Sequence, residues 1–318
     1  MTWKKHALFL LIAGTVIGCK KDDGDGLVSI PPRDIDEVAL ENDAEIQEFL
    51  QTHFYNYEDF LNPPVGFDYS IQIDTIAGDN SGKTPLANQV QALVLNVDNV
   101  ELGLEQVSGE VPHTLYYLSI RDGEGPIPTV ADSVLVQYEG SLLDGTVFDG
   151  VSNYIWQHLP NYLRGYSNAV AQWHSATLEG LEQFGDGTSR YNNSGIGLVI
   201  MPSGLAYFNS AKGTIPAYAP LIFKIEMGLI VEGTDADGDG IPSIMEDLNG
   251  NKYLYDDNTD KKKEESGFGR VLIPNFLDAD DDGDGTPTRD EIEIVNGVIS
   301  FPDADGDGIP DYLDADTK

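Results

Sequence analysis

The chain has 318 residues, of which 54 are acidic and 18 basic, for a net charge of −36. That balance excludes a nucleic-acid binder, which needs a basic footprint, and the single cysteine, Cys19, excludes a disulfide framework and a cysteine-based zinc site. The length allows two or three compact units, and the charge is uneven: Glu232 to Lys318 holds 25 acidic and 7 basic residues, a net of −18.

In chain order, the first element is a basic start, MTWKK, then an apolar run from Ala7 to Gly18, then Cys19. This reads as a signal peptide over residues 1–18. The apolar run is too short to span a hydrocarbon layer of ~30 Å. VIGC resembles a bacterial lipobox, which implies cleavage before Cys19 and acylation of its thiol. Acyl chains anchor at about 0.8 kcal/mol per buried methylene. Residues 19–38, with KKDDGDG directly after Cys19, suit a flexible tether. The expected location is the outer membrane, on its periplasmic or cell-surface face.

Residues 39–110 read as an N-terminal extension. ALENDAEIQEFLQTHFYNY has apolar residues at helical spacing, with Asn42 and Asp43 as candidate caps. IQIDTIAGDNSGKTPL reads as a strand and then a surface turn. It lacks the first glycine of a phosphate-binding loop at the needed spacing. The extension is expected to cover a sheet, to dimerise or to clamp clients.

Residues 111–233 read as an α+β domain, an antiparallel sheet wrapped on one helix. Val134, Val136 and Tyr138 alternate with Ser133, Leu135, Gln137 and Glu139, polar but for the leucine, as in a half-buried strand. Asp144-Gly145 marks a turn. IGLVIMPSGLAYF predicts a strand and a turn, and LIFKIEMGLIV predicts the last strand. The apolar spacing from Ala169 to Phe184 predicts the helix.

VLVQYEGSLLDGTVFDG, PSGLAYF and IPAYAPLIFKIEM, in that order, resemble the FKBP-type peptidyl-prolyl isomerases over about 120 residues. The resemblance implies an FKBP-like fold and a pocket built from Tyr138, Phe148, Asp149, Tyr207, Ile215 and Phe223. It also implies a tryptophan on the pocket floor at the start of the helix. Trp173 is assigned there, with Thr177 as the alternative. No cofactor is implied for catalysis, and the implied partners are proline-containing polypeptide clients. The alternatives are a weak or inactive FKBP-like binding module and a calcium-stiffened structural surface lipoprotein.

Residues 234–318 carry three loops of one spacing. Asp235, Asp237 and Asp239 precede Gly240, with Glu246 at position twelve. Asp280, Asp282 and Asp284 precede Gly285, with Glu291 twelfth. Asp303, Asp305 and Asp307 precede Gly308, with Asp314 twelfth. Calcium takes six to eight oxygens, and carboxylates at positions 1, 3 and 5 converge when the chain curls. The glycine at 6 permits the turn. Ile241, Thr286 and Ile309 offer carbonyls at position 7, and Ser243, Thr288 and Asp311 offer oxygens at position 9. A damaged copy keeps Asp256, Asn258 and Asp260, is interrupted by three lysines, and resumes with Asn275 and Asp278. A proline at position 8 precedes each late ligand. The segment resembles thrombospondin type 3 or dockerin-like repeats, which implies a structural, calcium-ordered stalk with little regular structure.

Overall fold

The computed structural model describes residues 31–104, 109–185, 187–267 and 271–317. The signal peptide, the lipobox and Cys19 lie outside the described residues. In chain order the elements are α1 (Ile35–Thr52), β1 (His53–Tyr55), α2 (Tyr57–Leu61), β2 (Ile73–Thr75), β3 (Gln91–Val97), β4 (Val111–Arg121), β5 (Ser133–Leu142) and β6 (Val147–His158). They continue with α3 (Arg164–Val170), β7 (Leu181–Gln183), β8 (Ser189–Tyr191), β9 (Gly195–Met201), β10 (Leu221–Val231), α4 (Lys261–Ser266), β11 (Glu293–Val295) and β12 (Val298–Ser300). Residues Met1–Pro32 and Arg33–Lys318 group as separate units. Among the described residues no helix is long and apolar enough to cross a membrane.

Six strands form one antiparallel sheet in the order β3-β4-β9-β10-β5-β6. The strand expected from IGLVIM is β9, and it is buried along its whole length. Its side chains alternate between two layers. Val199 and Met201 join the core beside α3, with Val134, Val136, Phe223 and Ile225. Ile196, Leu198 and Ile200 join the core under α1, with Ile46, Phe49, Leu50 and Ile222. A strand covered on both faces reads as a continuous apolar run. The N-terminal extension therefore covers the back of the sheet.

Helix α1 begins earlier than the sequence suggests. Asp34 is its cap, accepting from the N–H groups of Asp36 (2.9 Å) and Glu37 (3.3 Å). Such a carboxylate satisfies donors that the first turn leaves unpaired. Asn42 and Asp43 lie mid-helix and serve tertiary contacts. Asn42 donates to the Tyr218 carbonyl (3.0 Å) and accepts from the Ser203 N–H (2.8 Å). Asp43 accepts from the Tyr116 hydroxyl at 2.7 Å.

The helix expected over Ala169 to Phe184 is also displaced. Helix α3 has seven residues and ends at Val170. Beyond it, the backbone finds partners far away in sequence. The Ser175 N–H donates to the Pro126 carbonyl (3.0 Å) and the Ala176 N–H to the Gly228 carbonyl (2.7 Å). These bonds replace the helical ones, and the apolar spacing reflects burial of Trp173 and Ala176 in irregular chain.

The acidic segment has little regular structure, but it is not a stalk standing clear of the domain. Leu254 and Phe276 pack on Val130 and Ala131. The Thr234 hydroxyl accepts from the Ser133 N–H at 2.9 Å. Ile241, Ile292 and Tyr312 form a small core of their own. Each loop proline precedes a short 3-10 turn, at Ser243–Glu246, Thr288–Asp290 and Asp311–Leu313.

Candidate functional site

Two sites are built on this frame. The first is a cavity of about 460 Å³. Strand β5 contributes Tyr138, β6 contributes Phe148, Asp149 and Gln157, and β10 contributes Phe223. The turn before α3 and α3 itself bring Tyr162, Leu163 and Tyr166, and the chain after β9 brings Tyr207 and Ile215. Register shifts in the β5–β6 pair bracket this corner, between Val136 and Tyr138 and between Gly140 and Ser141. Such bulges bend a strand and re-aim its side chains.

The rings meet edge to face. Phe148 and Phe223 have centroids 5.6 Å apart, and Tyr166 and Phe223 5.2 Å. Gly140 is required here: a methyl in its place would sit 2.6 Å from Phe148 and 2.9 Å from Phe223. The Tyr138 hydroxyl donates to Asp149 Oδ2 at 2.7 Å. Burial first, and then that carboxylate, push the Tyr138 phenol well up, so it stays a donor. Burial followed by Asp149 also raises Tyr207. Among the described residues the Tyr207 hydroxyl makes no hydrogen bond, which leaves it free to meet a carbonyl.

Six of the seven pocket residues named from the sequence line this cavity. Trp173 does not. It is 1 % exposed and packs beneath the sheet against Gly197, where a methyl would come within 2.2 Å of the indole. The short α3 places Tyr166 on the floor instead. Tyr166 is 2 % exposed and its hydroxyl donates to Gln157 at 2.7 Å. Thr177 is not on the floor either; its hydroxyl accepts from Asn193 at 2.7 Å. A slightly larger groove of about 490 Å³ lies elsewhere, lined by Tyr69, Gln137, Glu139, Lys224 and Glu226. It has no aromatic cup, and Lys224 is already paired with Glu139 at 2.7 Å.

The second site is the set of acidic loops. In all three, the position-6 glycine N–H donates to the position-1 carboxylate at 3.0–3.1 Å. Gly240, Gly285 and Gly308 have φ of +104°, +97° and +98°, a region that L side chains avoid. The position-7 N–H donates to the position-5 carboxylate at 2.5–2.8 Å. Each 1-3-5 triad has carboxylate oxygens gathered within 4.8 Å. Position 9 is different from the expectation. Ser243, Thr288 and Asp311 Oδ1 each accept the position-2 N–H, at 3.2, 3.1 and 2.8 Å. Asp314 accepts from the Asp316 N–H and the Thr317 hydroxyl, so it is not gathered with its triad.

The interrupted copy is rearranged. Asp260 and Asp278 are joined by Glu264, from the helix α4 that the inserted lysines open. Asn275 is turned to Thr259, accepting from its N–H at 2.9 Å and donating to its hydroxyl at 2.9 Å. A further loop escapes sequence reading. The Lys252 N–H donates to Asp247 Oδ2 (3.0 Å), the Asn251 N–H to Asn249 (2.8 Å) and the Tyr253 N–H to Asn251 (2.7 Å). Asn replaces Asp at positions 3 and 5, and Lys252, at φ +63°, replaces glycine. Here the amides donate to Asp256 and Asp257. The loop is docked on α3, with Arg164 donating to the Asn251 carbonyl at 2.9 Å.

The carboxylates in the first two loops are short of partners. Among the buried oxygens without a hydrogen bond are both of Glu246, one each of Asp237, Asp239 and Asp282, and both of Glu291. Burial, then Asp281 and the loop carboxylates, push Glu246 up to about 10. Burial, then Asp282 and Asp284, push Glu291 up to about 7. An all-oxygen donor set of this kind suits a hard divalent cation.

An antiparallel sheet presenting an aromatic cup over a short helix defines a binding domain for a small apolar group. Residues 125–228 match the family of FKBP-type peptidyl-prolyl cis-trans isomerases. Residues 236–301 match a second family, BamM C-terminal. A probable FKBP-type 25 kDa peptidyl-prolyl cis-trans isomerase of Pseudomonas aeruginosa is 26% identical over 152 residues, covering 46% of this chain and 55% of the relative. The FKBP-type isomerase FkpA of Aeromonas hydrophila is 33% identical over 207 residues, covering 63% of this chain and 62% of the relative. The chain thus spans little more than half of the curated relatives' length. A solved peptidyl-prolyl isomerase from Pseudomonas syringae is 24% identical with a TM-score of 0.31, covering 37% of this chain and 76% of that one.

Proposed function

We propose that the protein is a peptidyl-prolyl cis–trans isomerase acting on proline-containing polypeptides outside the cytoplasm. The observation that carries this reading is the aromatic cup closed by the Tyr138–Asp149 hydrogen bond, in a stretch that matches the isomerase family. An X-Pro bond turns over a barrier of ~18–20 kcal/mol, taking tens of seconds unaided. No nucleophile is needed. Phe148, Tyr166, Ile215 and Phe223 hold the prolyl ring in an apolar wall. A twisted amide has lost resonance and polarity, so it gives up less hydration in a dry cup than the planar one. Tyr207 donates to a substrate carbonyl, and Asp149 holds Tyr138 in place. The rate gain is tighter binding of the twisted state. A proline-peptide isomerisation assay tests this. Turnover lost in Phe148→Ala and Tyr207→Phe with the fold intact supports it, and unchanged turnover in both rejects it.

One observation favours a second reading. The floor is Tyr166, with a hydroxyl tied to Gln157, where the family resemblance implies a tryptophan. A cup of that shape is also suited to gripping an apolar side chain without turnover. Peptide binding with no rate gain in the same assay selects this reading.

The acidic segment, on this proposal, is ordered by calcium. Asp235, Asp237, Asp239, the Ile241 carbonyl and Glu246 would hold one ion. Asp280, Asp282, Asp284, the Thr286 carbonyl and Glu291 would hold another. The exposed Asp303, Asp305 and Asp307, with the Ile309 carbonyl, would hold a third. The ion supplies charge neutralisation and cross-linking, and takes no part in the isomerisation. What supports the first two is the set of buried oxygens of Asp237, Asp239, Glu246, Asp282 and Glu291 without a hydrogen bond, and the third rests on its shared spacing and gathered triad. Lipid attachment at Cys19 would tether the whole to the outer membrane. Mass spectrometry of the mature N-terminus tests that: an unmodified Cys19, or a retained residue 1, overturns it.

A further inference from the structure

Asp281 stands at position 2 of its loop, where the first and third loops carry Ala236 and Ala304. Its backbone is placed as theirs are, with the N–H donated to the position-9 side chain, here Thr288. Its side chain points away from its own triad. It is 1 % exposed, and its carboxylate lies within 4.8 Å of Asp239 and Glu246 of the first loop. Asp239 and Glu246 are each also 1 % exposed. Neither oxygen of Asp281, neither oxygen of Glu246 and not Oδ2 of Asp239 has a hydrogen-bond partner. Three buried carboxylates with nothing to neutralise them are costly. An Ala at this position would have left the first site open on one side.

We propose that Asp281 is a ligand of the first loop's divalent cation, so that one ion binds two loops separated by more than thirty residues. This rests on the calcium reading above. The site is not a self-contained loop: it exists only when the segment has folded back to bring Asp281 against Asp239 and Glu246. The metal class is a hard divalent ion of calcium size, since all donors are oxygen and most are anionic.

The test is calorimetric titration of the chelator-stripped full chain with calcium. Asp281→Asn keeps the shape and removes the charge, and Glu246→Gln serves as a positive comparison. Circular dichroism of each variant at saturating calcium checks the fold, and Asp281→Ala repeats the test should the amide find a new partner. The expected result is at least about a tenfold loss of affinity at one site in Asp281→Asn. The same site should be lost in Glu246→Gln, and the double variant should be no worse than Glu246→Gln alone. Affinities and stoichiometry unchanged in Asp281→Asn and Asp281→Ala overturn the inference while the calcium reading stands. Absence of any binding by the unaltered chain up to about 10 mM calcium, well above the ~10⁻⁴–10⁻³ M of extracellular modules, overturns both.

Discussion

The aromatic cup and the acidic loops sit in one chain and are stabilised in opposite ways. The cup is complete without a ligand: its rings pack on one another, and the Asp149 carboxylate already accepts from Tyr138. The first acidic loops have their backbone donors satisfied but leave Glu246, Asp281 and Glu291 without partners. A binding site can thus be preformed by packing or left open for an ion to finish. The Asp247 loop shows the intermediate case. It has the same turn, but its two asparagine amides donate hydrogen bonds to the neighbouring carboxylates of Asp256 and Asp257.

Breaking the cup should give the largest effect on turnover. Tyr166→Ala removes a buried ring from the floor and is expected to cost about 3–5 kcal/mol of stability, with loss of turnover. Denaturant unfolding and the isomerisation assay measure the two. A variant that folds normally and turns over normally would remove Tyr166 from the floor.

Calcium withdrawal should affect the other region. At a hundredfold excess over Kd, each occupied site adds about 2.7 kcal/mol. Differential scanning calorimetry with chelator should therefore show the acidic segment melting earlier while isomerisation by the cup persists. The pH dependence sharpens this comparison. Burial and neighbouring carboxylates push Glu246 up to about 10 and Asp281 up to about 9. In the unfolded chain they titrate near 4. Below about pH 4 both states hold these protons. From there to about pH 9–10 only the folded state does, so metal-free stability should fall as pH rises. With calcium the slope should reverse, because the ligands must be deprotonated to bind. Parallel slopes with and without calcium would separate these groups from the ion.

The smallest effect should come from Tyr138→Phe. It removes one hydrogen bond to Asp149, worth about 0.5–1.5 kcal/mol, and should lower kcat/KM several-fold without moving Tm by more than a few degrees. A fall of about a thousandfold would mean that the hydroxyl contacts substrate directly.

Part of the sheet was legible: Val134, Val136 and Tyr138 announce β5, LIFKIEMGLIV announces β10, and the apolar run of β9 announces a strand, although its cover on both faces emerges only from the fold. The cup was legible only through a motif, since nothing local distinguishes Phe148 or Phe223 from core residues. Tyr166 was missed because its helix is a single short stretch, fixed in place by long-range bonds. The apolar spacing pointed further along, to a segment whose amides bond to Pro126 and Gly228. Asp281 was missed because loop spacing describes ligands within one loop. Its partner lies in another, and only folding brings the two together. The Asp247 loop was hidden by two asparagines and a lysine at positions where the repeat carries aspartate and glycine.

Strand β9 pairs with β4 on one side and β10 on the other, yet β4 precedes residue 125, where the family match begins. Trimming the chain to that match would turn a central strand into a raw margin of unpaired amides. It would also strip α1 from Ile196, Leu198, Ile200 and Ile222, baring an oily stripe. Such a fragment invites self-association rather than solubility, so expression for biophysical work should start ahead of α1.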